Sequence, residues 1–339
     1  MKRIFNILLS VILVVVSAFA LTACAPGDST MIKAKGLSIK KVSENKYTIF
    51  KYVDDGTLTN GVLDIGAILQ TKNIGGEGVE IKLKKGAFAG NENIVKLIIP
   101  ATVTEVDEGA LKEMQNLEEL EVAYVGRTIN SDAYYNESSG AENKSIDKAR
   151  TMAHYFGTEQ YKNGVTVTVA GAYTCHMPLS LEKVTVNATS FYDLPNEVRG
   201  DFYSIPYQAF EGCNNLTEIV LTGAKLGAIG ESAFKGCSEL KKITIPCTVK
   251  TVYDNAFSAC GKLEEVKFEG TGVVLKDGVF EGCVKMSKFN DTADKTINVN
   301  SFSAVGENAL DFGRENVSFS LVNTNALVLT SALGQTKIN

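Results

Sequence analysis

A short motif, Ala-Phe-x-Gly-Cys followed by an apolar strand, recurs along the chain at an almost fixed interval. Its four clearest copies begin at Ala209, Ala233, Ala256 and Val279, which are 24, 23 and 23 residues apart. A unit of this length cannot bury its apolar face alone, so the copies have to stack on one another. The period therefore predicts an α/β or mainly β solenoid, with parallel strands stacked on one side and short helical turns on the other.

One unit, residues 229–246, shows how its apolar spacing changes from helix to strand. The helical positions are Ile229, Ala233, Phe234 and Cys237. Gly236 sits where a left-handed C-cap would end the turn. Ile243 and Ile245 follow with the spacing of a strand that buries one side, and Pro246 ends it. Each unit is predicted to hold one helical turn and one strand.

Weaker copies extend the array towards the N-terminus. Ala87-Phe88 and Ala110-Leu111 take the position of Ala-Phe, and a degenerate copy is placed at Ala172-Tyr173. Seven units are recognisable in all. The pattern resembles that of the BspA-like leucine-rich-repeat surface proteins, over about residues 87–122 and 172–289. This resemblance implies a leucine-rich-repeat solenoid in an extracellular adhesion or binding protein.

The N-terminus predicts export and lipid attachment. Lys2 and Arg3 precede an apolar run that ends in Leu21-Thr22-Ala23-Cys24, an arrangement that resembles a bacterial lipobox. Cys24 would then carry the lipid. A membrane-spanning helix or an ordinary cleaved signal are the alternatives, and seventeen apolar-leaning residues are marginal for a span. We expect an extracytoplasmic chain that contacts the membrane through this lipid only.

Charge disfavours nucleic acid as a partner. The chain has 34 basic and 39 acidic residues, a net charge of −5, and loss of Lys2 and Arg3 with the signal makes it −7.

Four cysteines occupy one position of the repeat: Cys213, Cys237, Cys260 and Cys283. They are predicted to form a buried column of thiols, because neighbouring side chains that point the same way suit neither a disulfide nor a tetrahedral metal site. The state of Cys175 and Cys247 stays open. No metal or other cofactor is expected.

A second column lies on the outward face of the predicted strands and alternates in charge. Its members are Lys96, Glu119, Lys183, Glu218, Lys242, Glu265 and Lys288. Opposite charges on adjacent strands stabilise their pairing, so this charge ladder is interpreted as structural. Its alternation also predicts that the strands of Glu119 and Lys183 lie side by side, with the intervening residues looped out.

The looped-out segment, residues 123–171, is the candidate binding region. Its tyrosines are Tyr124, Tyr134, Tyr135, Tyr155 and Tyr161. Exposed tyrosines suit recognition, but the same residues could instead pack the segment against the solenoid, and the sequence leaves both interpretations open. Residues 145–156 have the spacing of a short amphipathic helix, and residues 165–169 alternate like a strand.

No motif points to catalysis. His154 and His176 are the two histidines, and neither belongs to a metal-binding or phosphate-binding pattern. The predicted organisation is a signal peptide (1–23), an N-terminal linker and cap (24–60), repeats (61–122), the looped-out segment (123–171), further repeats (172–295) and a C-terminal cap (296–339). The predicted function is a cell-surface module that binds a protein or glycan. A structural spacer of the envelope, or an enzyme with its site in the looped-out segment, is the alternative.

Overall fold

The computed structural model describes residues 30–128, 148–169, 171, 173–188, 203–223, 226–289, 296–298, 302–313 and 318–320. Cys24, Tyr134 and Tyr135 lie outside these residues, and so do the polar stretch before Ser145 and the last residues of the chain.

Short strands make up most of the regular structure. In chain order they are β1 (Met31–Ala34), β2 (Leu37–Lys41), β3 (Lys46–Tyr52), β4 (Val62–Asp64), β5 (Glu80–Leu83), β6 (Lys96–Ile99), β7 (Val103–Val106), β8 (Glu119–Val122), β9 (Gly164–Val169), β10 (Tyr173–Pro178), β11 (Lys183–Asn187), β12 (Tyr203–Ile205), β13 (Glu218–Thr222), β14 (Leu226–Ile229), β15 (Lys242–Ile245), β16 (Thr251–Val252), β17 (Glu265–Phe268), β18 (Val273–Leu275), β19 (Lys288–Phe289), β20 (Thr296–Asn298), β21 (Phe302–Val305) and β22 (Ser318–Ser320). The described helices are α1 (Ile65–Gln70) and two 3₁₀ helices, Lys148–Arg150 and Met152–Tyr155.

Eight parallel strands form one continuous sheet, called here the first sheet. Their spatial order is β4-β6-β8-β11-β13-β15-β17-β19. Alternate residues of each strand, such as Ile243 and Ile245 of β15, are buried, whereas Lys242 and Thr244 are exposed. This is the one-sided burial that the spacing of two predicts. The solenoid of stacked parallel strands is confirmed.

A second layer of strands faces the first sheet. It consists of two five-stranded sheets, β1-β2-β3-β5-β7 and β12-β14-β16-β18-β21. The prediction of one strand per unit was therefore wrong, because most units add a second strand after the turn that follows the first. Ile229, which was assigned to the helical turn, ends β14 of this layer. Three of these strands, β7, β14 and β21, bury their first and last residues and not alternate ones, so a spacing of two does not reveal them.

The Ala-Phe segments form turns that stack along the solenoid through backbone hydrogen bonds. The Phe210 N–H donates to the Ala233 oxygen at 2.7 Å, and the Phe234 N–H donates to the Ala256 oxygen at 2.7 Å. Gly236 has a φ of 73°, the left-handed conformation expected of it. Some backbone N–H groups of each turn thus find their hydrogen-bond acceptor in the next repeat.

Phenylalanine rings form a continuous stack behind these turns. The ring centroids of Phe210, Phe234, Phe257 and Phe280 lie 5.1, 4.9 and 5.3 Å apart, with interplanar angles of 10–14°. All four side chains are fully buried. Offset stacking adds roughly 0.5–1.5 kcal/mol per pair beyond burial, so this row is a main source of cohesion between repeats.

The N-terminal end of the second layer is an antiparallel meander. β1 pairs with β2, β2 pairs with β3, and β3 then runs parallel to β5. Leu37, Ile39 and Ile49 of this meander are fully buried against the core. The meander covers what would otherwise be an open end of the apolar core.

Candidate recognition surface

The repeat array is interrupted in one layer only. In the first sheet, β8 pairs directly with β11, and Glu119 lies opposite Lys183. In the second layer, β7 and β12 each end their sheet in the described part of the chain. The residues between β8 and β11 therefore enter the molecule where the second layer is broken.

Part of this segment takes the place of a repeat turn. The Leu111 N–H donates to the Tyr155 oxygen at 2.8 Å, and the Met152 N–H donates to the Ala209 oxygen at 2.7 Å. The 3₁₀ helix Met152–Tyr155 thus lies inside the turn stack; it is called here the inserted turn. The placement of the degenerate turn at Ala172-Tyr173 was wrong, because Tyr173 lies in β10.

The amphipathic helix expected over residues 145–156 is also different in the structure. Two 3₁₀ helices, Lys148–Arg150 and Met152–Tyr155, occupy its described part. Thr151 between them has an extended conformation, with φ −97° and ψ 154°. The segment bends there because the Met152 N–H bonds to a neighbouring repeat instead of continuing a helix. The signal that sequence reasoning missed is Tyr155-Phe156-Gly157, an aromatic pair before glycine that resembles Ala-Phe-x-Gly.

His154 is buried in the inserted turn. Its Nε2 lies 3.0 Å from the Val106 oxygen, and its Nδ1 has no hydrogen-bond partner among the described residues. Burial lowers the pKa of His154, and the Val106 carbonyl opposes this only in part. The His154 imidazole thus joins the inserted turn to the end of β7 in the core.

The three candidate tyrosines that the structure describes do not form an exposed cluster. Tyr124 and Tyr155 are buried, with 2% and 1% of their surface exposed, so their assignment as binding residues was wrong. The Tyr155 hydroxyl donates to the Tyr124 oxygen at 2.9 Å, which joins the inserted turn to the chain after β8. Tyr161 is half-buried, and burial raises the pKa of its hydroxyl. For these three residues the packing interpretation applies.

The part of the segment that does face outward is a β-hairpin formed by β9 and β10. Val169 lies opposite Tyr173, and Thr168 lies opposite Thr174. Its inward side chains are buried: Val167, Val169, Cys175 and Met177. Thr166, Thr168 and Thr174 are exposed. The hairpin therefore has an apolar base and a threonine-rich outer face.

Several contacts hold this hairpin on the solenoid. The Gly157 oxygen accepts a hydrogen bond from the His176 N–H at 3.0 Å, and the Tyr173 hydroxyl donates to Glu108 at 3.2 Å. A Cβ added to Gly212 would lie 3.0 Å from the Thr168 oxygen, so the strand runs directly over that turn. These contacts hold the two strands of the hairpin against the solenoid.

The cysteine column lies in the core as a row of reduced thiols. Cys213, Cys237, Cys260 and Cys283 are buried and unpaired. The thiols of Cys237, Cys260 and Cys283 each lie 3.1 Å from the backbone oxygen of a stacked phenylalanine. Burial raises the pKa of the Cys237 and Cys260 thiols. Cys175 is buried with its pKa raised to about 12, and Cys247 is exposed.

The charge ladder runs in register across the first sheet. Consecutive members face one another on adjacent strands, from Lys96 opposite Glu119 to Glu265 opposite Lys288. The Lys96–Glu119 and Lys183–Glu218 ion pairs measure 2.9 and 3.1 Å, and the Glu265–Lys288 pair measures 3.9 Å. The Lys96 ammonium is the main cause of a lowered Glu119 pKa.

Sequence reasoning missed similar pairs in the second layer. Lys46 and Glu80, on β3 and β5, form an ion pair of 2.9 Å. Lys82 on β5 pairs with Glu105 at 3.0 Å and with Asp107 at 2.9 Å, which raises the pKa of Lys82. Lysine and acidic residues alternate between neighbouring strands here too, but the repeat period had not revealed these strands.

Groups that could perform metal chemistry are absent from the described residues, where no three His, Cys, Asp or Glu side chains come together. A small cleft beside Lys85, Lys112 and Glu159 is occupied by its own ion pair, since Lys112 lies 2.6 Å from Glu159. In the described ranges, no helix is both long enough and apolar enough to cross a bilayer.

Stacked parallel strands, a repeated turn and a period of 23–24 residues define a leucine-rich-repeat protein. A sequence profile described as the BspA type leucine rich repeat region matches six copies over residues 76–156 and 182–309. The chain belongs to this family. The first matched stretch ends at residue 156, inside the segment 123–171 that was predicted to be looped out of the repeats.

Solved structures of bacterial leucine-rich-repeat proteins are similar to this chain. A protein from T. pallidum is 16% identical, with a TM-score of 0.37, and the match covers 90% of this chain and 97% of that one. A protein from Bacteroides ovatus is 17% identical, with a TM-score of 0.34 and coverage of 91% and 76%. A leucine rich cell surface protein from Faecalibacterium prausnitzii is 16% identical, with a TM-score of 0.23 and coverage of 78% and 95%. No curated protein sequence matches the chain.

Proposed function

We propose that this protein is an extracytoplasmic, lipid-anchored module that binds a surface protein or a glycan without catalysis. The lipobox-like sequence before Cys24 supports export and anchoring. Membership of the BspA type family supports a repeat-based binding or structural role.

The observation that carries the binding role is the β9–β10 hairpin. It breaks the regularity of the second layer, and its base is packed into the core through Val167, Val169 and Met177. Thr166, Thr168 and Thr174 stay exposed on its outer face. Hydroxyl groups on a rigid support can donate and accept hydrogen bonds with little loss of conformational entropy, which suits a glycan or a protein backbone.

The face of the first sheet is the competing surface. Its ladder charges pair with one another in at least three ion pairs, so fewer charged groups are available to bind a partner. Its second outward column contains Ile98, Glu121, Thr185, Val220, Thr244 and Lys267. This column has no pattern of charge or aromaticity that selects one ligand class.

The binding test compares these two surfaces in the ectodomain, residues 25–339. The hairpin variant is Thr168→Lys/Thr174→Glu, a charge-compensated change at a cross-strand pair that should retain the fold. The matched variant on the first sheet is Thr185→Lys/Val220→Glu, also a directly opposed pair. Labelled proteins are applied to a glycan array and to a panel of immobilised extracellular proteins.

We expect the hairpin variant to lose at least about tenfold in affinity for any ligand of the wild type, equivalent to about 1.4 kcal/mol, and the sheet variant to retain it. The reverse result would assign binding to the first sheet. Failure of the wild type to bind any probe would favour the envelope spacer. Deletion of residues 125–170 is a poor test, because it removes the inserted turn from the stack.

Anchoring is tested separately by metabolic labelling with palmitate. Wild-type protein should take up the label and sediment with membranes, whereas Cys24→Ser should do neither. Labelling of Cys24→Ser to the wild-type level would refute the lipid anchor.

A further inference from the structure

The N-terminal meander has a charge unlike that of the rest of the chain. Residues 31–53 contain six lysines and one acidic residue, Glu44, and two more carboxylates, Asp54 and Asp55, follow directly, with Asp55 bonded to the Gly36 backbone. Residues 31–55 still carry a net charge of +3, six lysines against three acidic residues, within a protein whose acidic residues outnumber its basic ones. The lysines are Lys33, Lys35, Lys40, Lys41, Lys46 and Lys51. The three strands β1, β2 and β3 with their turns are called here the basic cap.

All six lysines of the basic cap are exposed. Lys46, at the inner border of the cap, is paired with Glu80. Lys35, Lys41 and Lys51 make no ion pair with any residue that the structure describes, and Lys33 contacts the Ser38 hydroxyl and the Phe50 ring. The neighbouring strands differ in this respect, because Lys82 on β5 is neutralised by Glu105 and Asp107.

Two exposed valines accompany the lysines at the ends of the strands. Val42 follows Lys41 and is 62% exposed, and Val53 ends the cap and is 54% exposed. Val53 lies beside the β1–β2 turn, since its N–H donates to the Gly36 oxygen at 3.0 Å. A surface that combines unpaired lysines with single apolar side chains has the chemistry of a bilayer-contacting surface, where cations meet headgroups and apolar groups enter the interface.

The chain length places this surface near the predicted anchor. Met31, the first residue of β1, follows Cys24 by seven residues, which reach at most about 25 Å when fully extended. A lipid on Cys24 would therefore keep the basic cap close to the bilayer.

We propose that the basic cap docks on the anionic phospholipid surface of the membrane that anchors the chain. Docking would set the solenoid upright on its N-terminal end and leave the hairpin and the first sheet free for a partner. This inference extends the anchoring part of the proposed function, but it concerns contacts that need no covalent lipid.

The experiment uses the lipid-free ectodomain, residues 25–339, so that the result does not depend on acylation. Binding is measured by co-sedimentation with vesicles of phosphatidylcholine, and with vesicles of equal parts phosphatidylcholine and phosphatidylglycerol. The test variant is Lys35→Gln/Lys41→Gln/Lys51→Gln. The matched control is Lys241→Gln/Lys276→Gln/Lys285→Gln, which removes the same charge from three exposed lysines remote in sequence.

We expect the wild type to bind only the vesicles that contain phosphatidylglycerol. Each lysine near an anionic surface contributes about fivefold in partitioning, so the test variant should bind about 100-fold more weakly and the control variant should bind like the wild type. Binding should also weaken between about 0.1 M and about 1 M NaCl, where the Debye length falls from about 10 Å to about 3 Å. Far-ultraviolet circular dichroism checks folding, and Lys41→Gln/Lys51→Gln serves as a milder second variant with an expected loss of about 25-fold.

Three results would overturn the inference: equal binding of the wild type to both vesicles, equal loss in the test and control variants, or a concentration-dependent dimer that the test variant abolishes without vesicle binding. The last result would assign the cap to a second copy of the chain. Vesicle binding by the ectodomain together with unlabelled Cys24 would keep the docking inference and refute the lipid anchor. Palmitate labelling of the wild type without vesicle binding by the ectodomain would keep the lipid anchor and refute the docking inference.

Discussion

At the scale of single residues, the glycine of the Ala-Phe-x-Gly-Cys motif adopts a left-handed conformation. The φ angles of Gly212, Gly236 and Gly282 are 73°, 73° and 76°. Ala259 occupies the same position in its own repeat with a φ of 59°. Its N–H donates to the Glu281 oxygen at 2.7 Å, so the stack imposes this conformation although a Cβ disfavours it.

We predict that Ala259→Gly stabilises the protein. Left-handed backbone costs an L-residue roughly 1–2 kcal/mol, and the greater freedom of glycine in the unfolded chain offsets about 0.5–1 kcal/mol of the gain. The free energy of unfolding in urea should rise by about 0.5–1 kcal/mol. The matched change Gly236→Ala should lower it by a similar amount, because the added Cβ meets no atom closer than 3.8 Å and only the backbone strain acts. Shifts of the same sign in both variants would contradict this account.

At the scale of elements, the inserted turn depends on a neutral histidine. His154 is 4% exposed, and among the described residues its imidazole has one hydrogen-bonding partner, the Val106 carbonyl that ends β7. Desolvation lowers the His154 pKa, Glu108 and Asp107 raise it, and Arg127 lowers it further. β10, which packs against the turn, adds the ionisable Tyr173, Cys175 and His176 to this environment.

The folded state therefore binds fewer protons than the unfolded chain as pH falls below the ordinary His pKa of 6.5. The stability of the inserted turn should be complete above that pH and decrease below it. Hydrogen-exchange protection of residues 152–157 should fall between pH about 7.5 and pH about 5, after correction for intrinsic exchange rates. His154→Gln retains a donor for the Val106 oxygen but does not titrate, so it should remove this part of the pH dependence. An unaltered pH profile in that variant would refute the role of His154.

At the scale of the whole molecule, the charge ladder joins successive strands of the first sheet in pairs. Its shortest ion pairs are Lys96–Glu119 and Lys183–Glu218, at 2.9 and 3.1 Å. The side chains in these pairs are 33–43% exposed, so each pair contributes at most about 1 kcal/mol. The ladder adds to a strand register that one-sided burial already fixes, because a slip of one residue would turn the buried side chains outward.

We predict that Glu218→Lys destabilises the array. It breaks the pair with Lys183 and places three lysines on adjacent strands, since Lys242 also lies opposite position 218. The free energy of unfolding should fall by about 1–2 kcal/mol in low salt, and the loss should shrink in high salt. The control is Val220→Lys, which adds a lysine on the same strand as Glu218. Its neighbour on β11 is the uncharged Thr185, so we expect little change in stability. An unchanged melting temperature in Glu218→Lys would argue against a structural ladder.

The sequence by itself determined the repeated part of this protein. A spacing of two residues decides which side of a strand is buried, and a constant period brings equivalent residues of successive units into one column. For this reason the period alone predicted the stacked turns and led to the neighbouring positions of Glu119 and Lys183. The solenoid followed from the same local rules, whereas its leucine-rich-repeat type came from the resemblance to the BspA-like pattern.

Only the tertiary structure decided what happens where the period fails. Tyr124 and Tyr155 are apolar enough to be buried and polar enough to be exposed, and the neighbouring repeats determine which occurs. The inserted turn takes its place through hydrogen bonds to Leu111 and Ala209, which lie more than forty residues away along the chain. Contacts between such distant residues leave no period in the sequence, because each is made once and not repeated. Tertiary packing thus buried Tyr124 and Tyr155, whereas Tyr134 and Tyr135 lie outside the described residues and stay a prediction.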